Sequence, residues 1–332
     1  MKTDVEQCPQ GSLGKQGARS RIGRTLSLIV PMHNEEKVFA PLFQRLDAVI
    51  AGLGLAVEII CVDDGSCDAT LDLLRARALA DPRVRVIALS RNFGKEAALT
   101  AGVDLAVGDM VVPIDADLQD PPELIGDFMD LWEQGYDVVY GVRADRHSDT
   151  WLKRMTAGVF YWVFNAISEN HIPASTGDFR LMDRQVIEAL KRLPEHNRFM
   201  KGLFAWVGFR QVGVAYVRPE RAAGETSWRY FQLWRLALDG ITSFSTAPLR
   251  IWTAVGMTAA AAALIAALAL IIRVLAVGRD VPGYASLMVV VLFGFAVQMI
   301  AFGVLGEYIG RLYEEVKGRP LYLIRERVGF EA

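Results

Sequence analysis

Cysteine is scarce in this 332-residue chain: Cys8, Cys61 and Cys67 make no Cys-x-x-Cys pair, so their spacing offers neither a disulfide framework nor a thiolate metal site. Cys61 lies in an apolar run and reads as a small core residue, which suits a reducing, cytosolic setting. Histidine is equally sparse, and the four at 33, 147, 171 and 196 are too scattered for a zinc site. Charge of one sign is lacking too. Against 36 Lys and Arg stand 38 Asp and Glu, a net charge of -2, so no global basic field points to nucleic acid. Residues 1–24 carry Lys2, Lys15, Arg19, Arg21 and Arg24 but no apolar stretch, which excludes a signal-peptide reading. A disordered tail is expected there, with a weak electrostatic tether to anionic lipid as the alternative.

Apolar residues make up 52% of the chain and collect after Leu249. Before that point, short runs rich in Val, Ile and Leu alternate with helix-like stretches. Leu26–Val30, Val57–Val62, Val84–Leu89, Met110–Ile114 and Val138–Tyr140 read as strands. Between them, Val38–Ile50, Asp68–Leu79, Lys95–Ala106 and Pro122–Trp132 read as helices, with Asp68 as an N-cap and Pro122 in a first turn. Such alternation predicts an α/β domain with a mostly parallel sheet covered by helices on both faces. Ligands of such sheets bind beyond the carboxyl ends of the strands. Residues 141–228 are less regular, with helices expected at Trp151–Ser168, Arg184–Arg192 and Arg198–Trp206 and a strand at Gln211–Val217.

Two stretches without a charge follow, Ile251–Ile272 and Ala285–Gly306. Each exceeds the roughly 20 residues needed to cross a hydrocarbon core, so together they predict a transmembrane hairpin. Basic residues crowd the outer flanks: Arg229, Arg235 and Arg250 before, Arg311, Lys317, Arg319, Arg325 and Arg327 after. The connecting loop carries only Arg273 and Arg279. The positive-inside rule therefore puts both flanks and the α/β domain in the cytoplasm, as a multi-pass protein of the inner membrane. Phe231, Trp234, Leu238 and Ile241, and again Ile309, Leu312 and Val316, recur at helical spacing and suit interfacial helices. Packing against the globular domain is the other reading of those stripes. The expected organisation is a tail over 1–24, a catalytic domain over 25–228 and an interfacial helix over 229–250. A hairpin over 251–306 and a cytoplasmic juxtamembrane helix and tail over 307–332 complete it.

Three polar clusters fall at predicted strand ends: Pro31-Met-His-Asn34-Glu35-Glu36, Asp63-Asp64-Gly65-Ser66, and Asp115-Ala116-Asp117 followed by Gln119. A strand-end Asp alone commonly just caps the next helix; three clusters on one sheet edge make an acidic pocket. Carboxylates alone would repel a nucleotide diphosphate. Asp115 and Asp117 make sense if they hold a hard divalent cation, Mg²⁺ or Mn²⁺, that also takes diphosphate oxygens. Asp63 is placed to accept hydrogen bonds from the nucleoside, and Glu35 from the base or ribose. Arg91-Asn-Phe-Gly-Lys95-Glu lacks the spacing of a Walker A loop, yet a helix start bearing Lys95 attracts anions. Arg143, Arg146, Lys153, Arg154, Arg180, Arg218 and Arg221, with Thr226 and Ser227, are candidates for an acceptor phosphate, because Arg matches phosphate oxygens in pairs. A phosphate nucleophile is already anionic, so Asp178 suits orienting the acceptor or an Arg, with base catalysis left open.

The stretches Arg91-Asn-Phe-Gly-Lys-Glu, Ile114-Asp-Ala-Asp-Leu-Gln-Asp-Pro, Gly177-Asp-Phe-Arg-Leu-Met, Arg198-Phe-Met-Lys-Gly, Gly240-Ile-Thr-Ser-Phe-Ser-Thr, Pro248-Leu-Arg-Ile-Trp and Gly306-Glu-Tyr-Ile-Gly-Arg occur in that order. Together they resemble glycosyltransferase family 2, and within it the polyisoprenyl-phosphate glycosyltransferases. The resemblance runs from about Leu26 to Leu323. It implies a GT-A (Rossmann-like) fold, an inverting single displacement, a divalent metal at Asp115 and Asp117, a role for Asp178, and a homotetramer. It also implies UDP-glucose as donor and undecaprenyl phosphate as acceptor, with GDP-mannose or another UDP-sugar as the alternative donor. Catalytic roles thus fall to Asp117 and Asp178. Donor contacts fall to Pro31, Asn34, Glu35, Asp63, Asp64, Lys95, Asp115, Ala116, Asp117 and Gln119, and acceptor contacts to Arg143, Lys153, Arg154, Arg180, Arg221 and Ser227. Gln232-Leu-Trp-Arg-Leu departs from the QxxRW element of processive synthases at Leu236, and two spans are too few for a polymer channel. A non-catalytic nucleotide-sugar-binding scaffold is the reading from a different class; the intact Asp115 and Asp117 pair weighs against it.

Overall fold

A computed structural model of the chain describes residues 5–7, 18–143, 176–193, 195, 198, 200–217, 247–277 and 283–330. Its centre is β2 (Thr25–Met32), flanked by β3 (Ala56–Asp63) and β5 (Met110–Pro113), both parallel to it. β4 (Val84–Leu89) adds to β3 in the same direction. These strands are near-continuous apolar runs because helices cover both of their faces. Side chains alternate across the sheet. Leu28, Val30 and Cys61 share a core with Leu42 and Leu46 of α1 (Phe39–Leu53) and Phe128 and Trp132 of α4 (Ile125–Glu133). Ile29, Ile60 and Val62 face the opposite way, toward Leu99 and Val103 of α3 (Lys95–Leu105). α2 (Thr70–Ala80) closes the first face, and Pro122 opens a single 3-10 turn before α4 as expected.

Beyond this core the sheet is mixed rather than mostly parallel. It has nine described strands in the order β1 (Val5–Gln7), β8 (Gln211–Tyr216), β6 (Val138–Arg143), β7 (Thr176–Asp183), β5, β2, β3, β4 and β9 (Ile324–Val328), and four of its eight pairings are antiparallel. β7 (Thr176–Asp183) enters antiparallel between β5 and β6 (Val138–Arg143) and has no counterpart among the expected elements. Its Gly-Asp-Phe-Arg start breaks the apolar alternation that marks a strand. α5 (Arg184–Lys191) and α6 (Met200–Trp206) pack on the α3 face, and β8 (Gln211–Tyr216) runs parallel to β6. The helix expected at 151–168 lies outside the described residues.

Where the first 24 residues are described, at 5–7 and 18–24, they are held by the sheet domain and depart from the disordered tail expected there. β1 (Val5–Gln7) pairs with the edge strand β8. The Arg19 backbone N–H donates to the Glu133 carbonyl at 2.8 Å, and its guanidinium bridges Asp137 and Asp183. Arg21 grips Glu133 and Asp130, and Arg24 donates to Asp109 at 2.6 Å. Hydrogen bonds from Arg21, outweighing desolvation, hold the Glu133 carboxyl down at about 2. Composition announced loose basic residues; carboxylates distant in sequence pin Arg19, Arg21 and Arg24.

The apolar stretches form α7 (Ala247–Val277) and α8 (Tyr284–Lys317), each with apolar side chains turned outward, Leu264 and Phe293 among them. Both are long and apolar enough to cross a membrane, over Ile251–Arg273 and Ser286–Lys317. The juxtamembrane helix expected after 306 is not a separate element: α8 runs unbroken to Lys317. Most of the interfacial helix expected over 229–250 lies outside the described residues, and 247–250 begin α7. After α8 the chain does not trail away. β9 (Ile324–Val328) pairs antiparallel with β4, with Leu89 opposite Ile324, and so enters the sheet at the carboxyl end of β4. The Ser90 N–H donates to the Leu323 carbonyl at 2.8 Å, Tyr322 Oη donates to Asp104 at 2.8 Å, and Arg75 pairs with Glu326.

Candidate active site

The loops that follow the parallel strands are tied to one another. In the loop after β2, Asn34 sits in the left-handed region at φ 57°, a conformation Asn tolerates. Its N–H donates to Ser66 Oγ at 2.9 Å, and its Oδ1 accepts from the Cys67 N–H at 2.8 Å. The Glu35 N–H donates to Thr70 Oγ1, and Asp68 accepts from both the Glu36 and the Thr70 N–H groups. The N-cap position of α2 is Ala69 rather than the expected Asp68; from one residue earlier Asp68 takes the first N–H of the helix and fastens the first loop at once. From the sequence Ser66 read as part of the pocket and Asp68 as an N-cap; their role as fasteners, with Thr70, appears only in the fold.

Asp63 and Asp64, at the end of β3, are both buried. Asp63 accepts from the Ser66 N–H at 3.3 Å. Asp64 reaches the third loop instead, accepting from the N–H groups of Phe93 at 2.7 Å and Gly94 at 2.9 Å. Burial raises the Asp64 carboxyl above its ordinary value, and these two backbone donors offset part of that rise. Gly65 is the contact point between the loops. Its φ is 67°, and a Cβ there would stand 2.6 Å from both the Arg91 carbonyl carbon and the Asn92 nitrogen. Neither backbone atom can yield as a side chain would. Gly65→Ala is therefore expected to cost about 3 kcal/mol of stability and to loosen the loops, read as a lower unfolding midpoint of the purified protein. An unshifted midpoint would mean that the two loops are not in contact.

With Phe93 and Gly94 pinned, Lys95 begins α3 at a fixed place. Its Nζ lies 2.6 Å from Asp115 Oδ1 and 2.7 Å from Asp178 Oδ2. Burial works to lower the pKa of this ammonium, but Asp178 and Asp115 outweigh it and hold the group firmly charged. Asp115 follows β5. The antiparallel register, Met110 opposite Asp183 and Val111 opposite Met182, brings the start of β7, and so Asp178, to the same edge. Asp117 Oδ1 accepts from the Gln119 N–H at 3.1 Å around Leu118, which is buried in the left-handed region at φ 59°. A buried branched residue in that region stores strain, as turns at functional sites commonly do. Ala116 is buried beneath this turn, and Asp120 accepts from Tyr216 Oη at 2.7 Å.

Most of the sequence-derived donor residues thus meet at the carboxyl edge: Asn34, Glu35, Asp63, Asp64, Lys95, Asp115, Ala116, Asp117 and Gln119, with Pro31 within the end of β2. A cleft of about 740 Å³ opens at the other edge, beside the starts of β2 and β3, and Arg24 and Arg83 line it. The acceptor residues fare differently. Lys153, Arg154, Arg221 and Ser227 lie outside the described residues, and Arg143 ends β6. Arg180 is a correction. It is buried, donates to the Gly177 carbonyl at 2.7 Å and stacks 3.9 Å from the Phe204 ring centroid. Desolvation lowers its pKa to about 10 despite the nearby Asp178, so it buttresses the start of β7 and is no surface phosphate clamp.

A cation suits the edge chemically, because an ammonium already stands between two carboxylates there. Among the described residues no three carboxylate, His or Cys side chains form a closed metal cage. Two carboxylates with the rest of the shell left to phosphate and water is how Mg²⁺ is commonly held.

Residues 27–191 match the model of glycosyl transferase family 2, and residues 247–312 match the GtrB C-terminal hairpin. A glycosyltransferase of Synechocystis is 53% identical over 92% of this chain and 96% of its own length. An Escherichia coli prophage bactoprenol glucosyl transferase homolog is 49% identical over 90% and 98%, and the bactoprenol glucosyl transferase of Shigella phage SfII is 48% identical over 91% and 97%. A solved structure of glucosyl-3-phosphoglycerate synthase from Mycobacterium tuberculosis is more distant, 21% identical over 67% of this chain and 79% of that one, with a TM-score of 0.47. With an acidic carboxyl edge on a mixed α/β sheet of the GT-A kind, followed in the chain by two long apolar helices, this chain belongs to glycosyl transferase family 2 and is a glycosyltransferase.

Proposed function

We propose that the chain transfers glucose from UDP-glucose to undecaprenyl phosphate, with inversion, at the cytoplasmic face of the inner membrane. The observation that carries the chemistry is the Asp115–Lys95–Asp178 cluster at the carboxyl edge. The acceptor class is supported by a relative named for bactoprenol that is 48% identical over 91% of the chain, and by the match of residues 247–312 to the GtrB C-terminal hairpin. A lipid phosphate oxygen attacks the anomeric carbon, the bond from that carbon to the diphosphate breaks, and UDP departs. Asp63, Asp64, Asn34 and Glu35, with Pro31, form the nucleoside end of the pocket, and Ala116 and Gln119 border the sugar. Lys95 meets the diphosphate. Asp115 and Asp117 would hold Mg²⁺ or Mn²⁺, which when bound supplies Lewis-acid stabilisation of the leaving group's charge. Asp178 orients the acceptor phosphate, which needs no deprotonation at neutral pH. Arg143, Lys153, Arg154, Arg221 and Ser227 are the acceptor contacts. Both termini and the catalytic domain face the cytoplasm by the charge of the flanks, and a homotetramer is the assembly the family resemblance implies.

The test uses purified protein, undecaprenyl phosphate and a panel of UDP- and GDP-sugars with Mg²⁺ or Mn²⁺. A chloroform-soluble glucosyl product with β configuration is expected from UDP-glucose. Product from GDP-mannose alone would replace the donor, and no lipid product from any donor would remove the acceptor assignment.

A further inference from the structure

We infer that Lys95 is a resident counter-cation that keeps the Asp115 site closed to a divalent ion until a nucleoside diphosphate draws the ammonium away. The inference rests on the proposed donor and metal reading and adds an order of events to it. Lys95 Nζ reaches both oxygens of Asp115, at 2.6 and 2.8 Å, and one oxygen of Asp178 at 2.7 Å. One ammonium thus stands between two carboxylates that come from different strands. A divalent cation approaching Asp115 in this arrangement would stand beside a like charge, and its affinity is reduced accordingly.

The anchoring of Lys95 decides what can move. Its backbone is fixed, because the two preceding N–H groups are held by Asp64 and the loop is packed on Gly65. Its side chain is held at the tip by the two ion pairs, yet it is 43% exposed and is a flexible stem with a compact charge, so it can turn when a stronger partner arrives. The start of an eleven-residue helix favours anions beside the same residue. An arriving diphosphate therefore offers the ammonium a denser negative partner within a side-chain swing. Once the ammonium has gone, Asp115 and Asp117 face an added negative charge, and a divalent ion becomes favourable. Asp178 gives up its ion pair with Lys95 in the same movement. Metal loading and donor binding become one coupled event that precedes acceptor engagement.

Mn²⁺ binding to the detergent-solubilised full chain, followed by the loss of the free-ion paramagnetic resonance signal, reads this directly. In the wild type, saturating UDP is expected to tighten Mn²⁺ about tenfold or more, and linkage requires Mn²⁺ to tighten UDP by the same factor. Lys95→Met is expected to bind Mn²⁺ without UDP about tenfold more tightly than the wild type, with the UDP effect smaller by the same factor and the part due to diphosphate oxygens on the ion retained. Lys95→Arg, which keeps the charge, should retain the UDP dependence and serves as the check that the loop is intact. Wild-type Mn²⁺ affinity in Lys95→Met without UDP would overturn the inference while leaving the donor and metal reading standing. Absence of Mn²⁺ binding to either protein even with UDP would overturn both.

Discussion

Asp117→Ala is expected to lower glycosyl transfer by about a thousandfold while leaving expression, membrane extraction and the unfolding midpoint close to wild type. The magnitude follows from the charge that builds on the departing diphosphate. Losing a metal-ion contact worth several kcal/mol in the transition state costs about three powers of ten in rate. The stability half of the expectation follows from what Asp117 does in the fold. Asp117 lies in a turn at the sheet edge rather than in either core, and it accepts locally from the Gln119 N–H. Asp117→Asn separates charge from shape: it keeps the acceptor oxygen for Gln119 and removes the negative charge. If that variant turns over at the wild-type rate under saturating Mn²⁺, Asp117 is no ligand and the metal assignment fails. Rates should be taken with donor and lipid acceptor both saturating, so that the loss is read in kcat.

The largest structural effect is expected from Arg19→Ala, a change far from the chemistry. Asp137 and Asp183 are buried, and the Arg19 guanidinium is the cation that joins them. Backbone and indole donors remain, with the Arg210 N–H on Asp137 and Trp132 Nε1 and the Gln185 N–H on Asp183. None of these carries a charge. Removing one partner of a buried pair leaves the other charge uncompensated, at a cost of about 3 kcal/mol or more. Asp183 also caps α5 and ends β7, so the loss reaches the strand that carries Asp178. The unfolding midpoint in detergent, followed by intrinsic tryptophan fluorescence, should fall clearly, and Arg19→Lys should recover only part because it loses the forked geometry. A midpoint equal to wild type would return the segment to the status of a loose tail.

The contrast between these two positions shows how unevenly function and fold were legible. Asp115 and Asp117 stand out because a carboxylate pair directly follows an apolar run, a purely local signal that needs no partner to be read. Arg19 carries no such mark. Its meaning depends on Asp137 and Asp183, more than a hundred residues away. Arg180 misled for the same reason: as a letter in Gly-Asp-Phe-Arg it resembles a phosphate ligand, while in the fold Phe204 and the Gly177 carbonyl enclose it.

Sequence by itself determined the parallel core strands, the helices between them, the strand-end carboxylates and the two uncharged spans. Each of these is written in local periodicity or run length, set by burial of one face or by the thickness of a bilayer. Tertiary structure alone decided that β7 inserts antiparallel beside β5, that Lys95 joins Asp115 to Asp178, and that β9 returns from α8 to the edge of the sheet. Those outcomes rest on strand pairing and charge neutralisation between residues far apart in the chain. Backbone hydrogen bonds and ion pairs of that kind leave no periodic trace in the sequence, because any strand edge or carboxylate of the right reach would satisfy them.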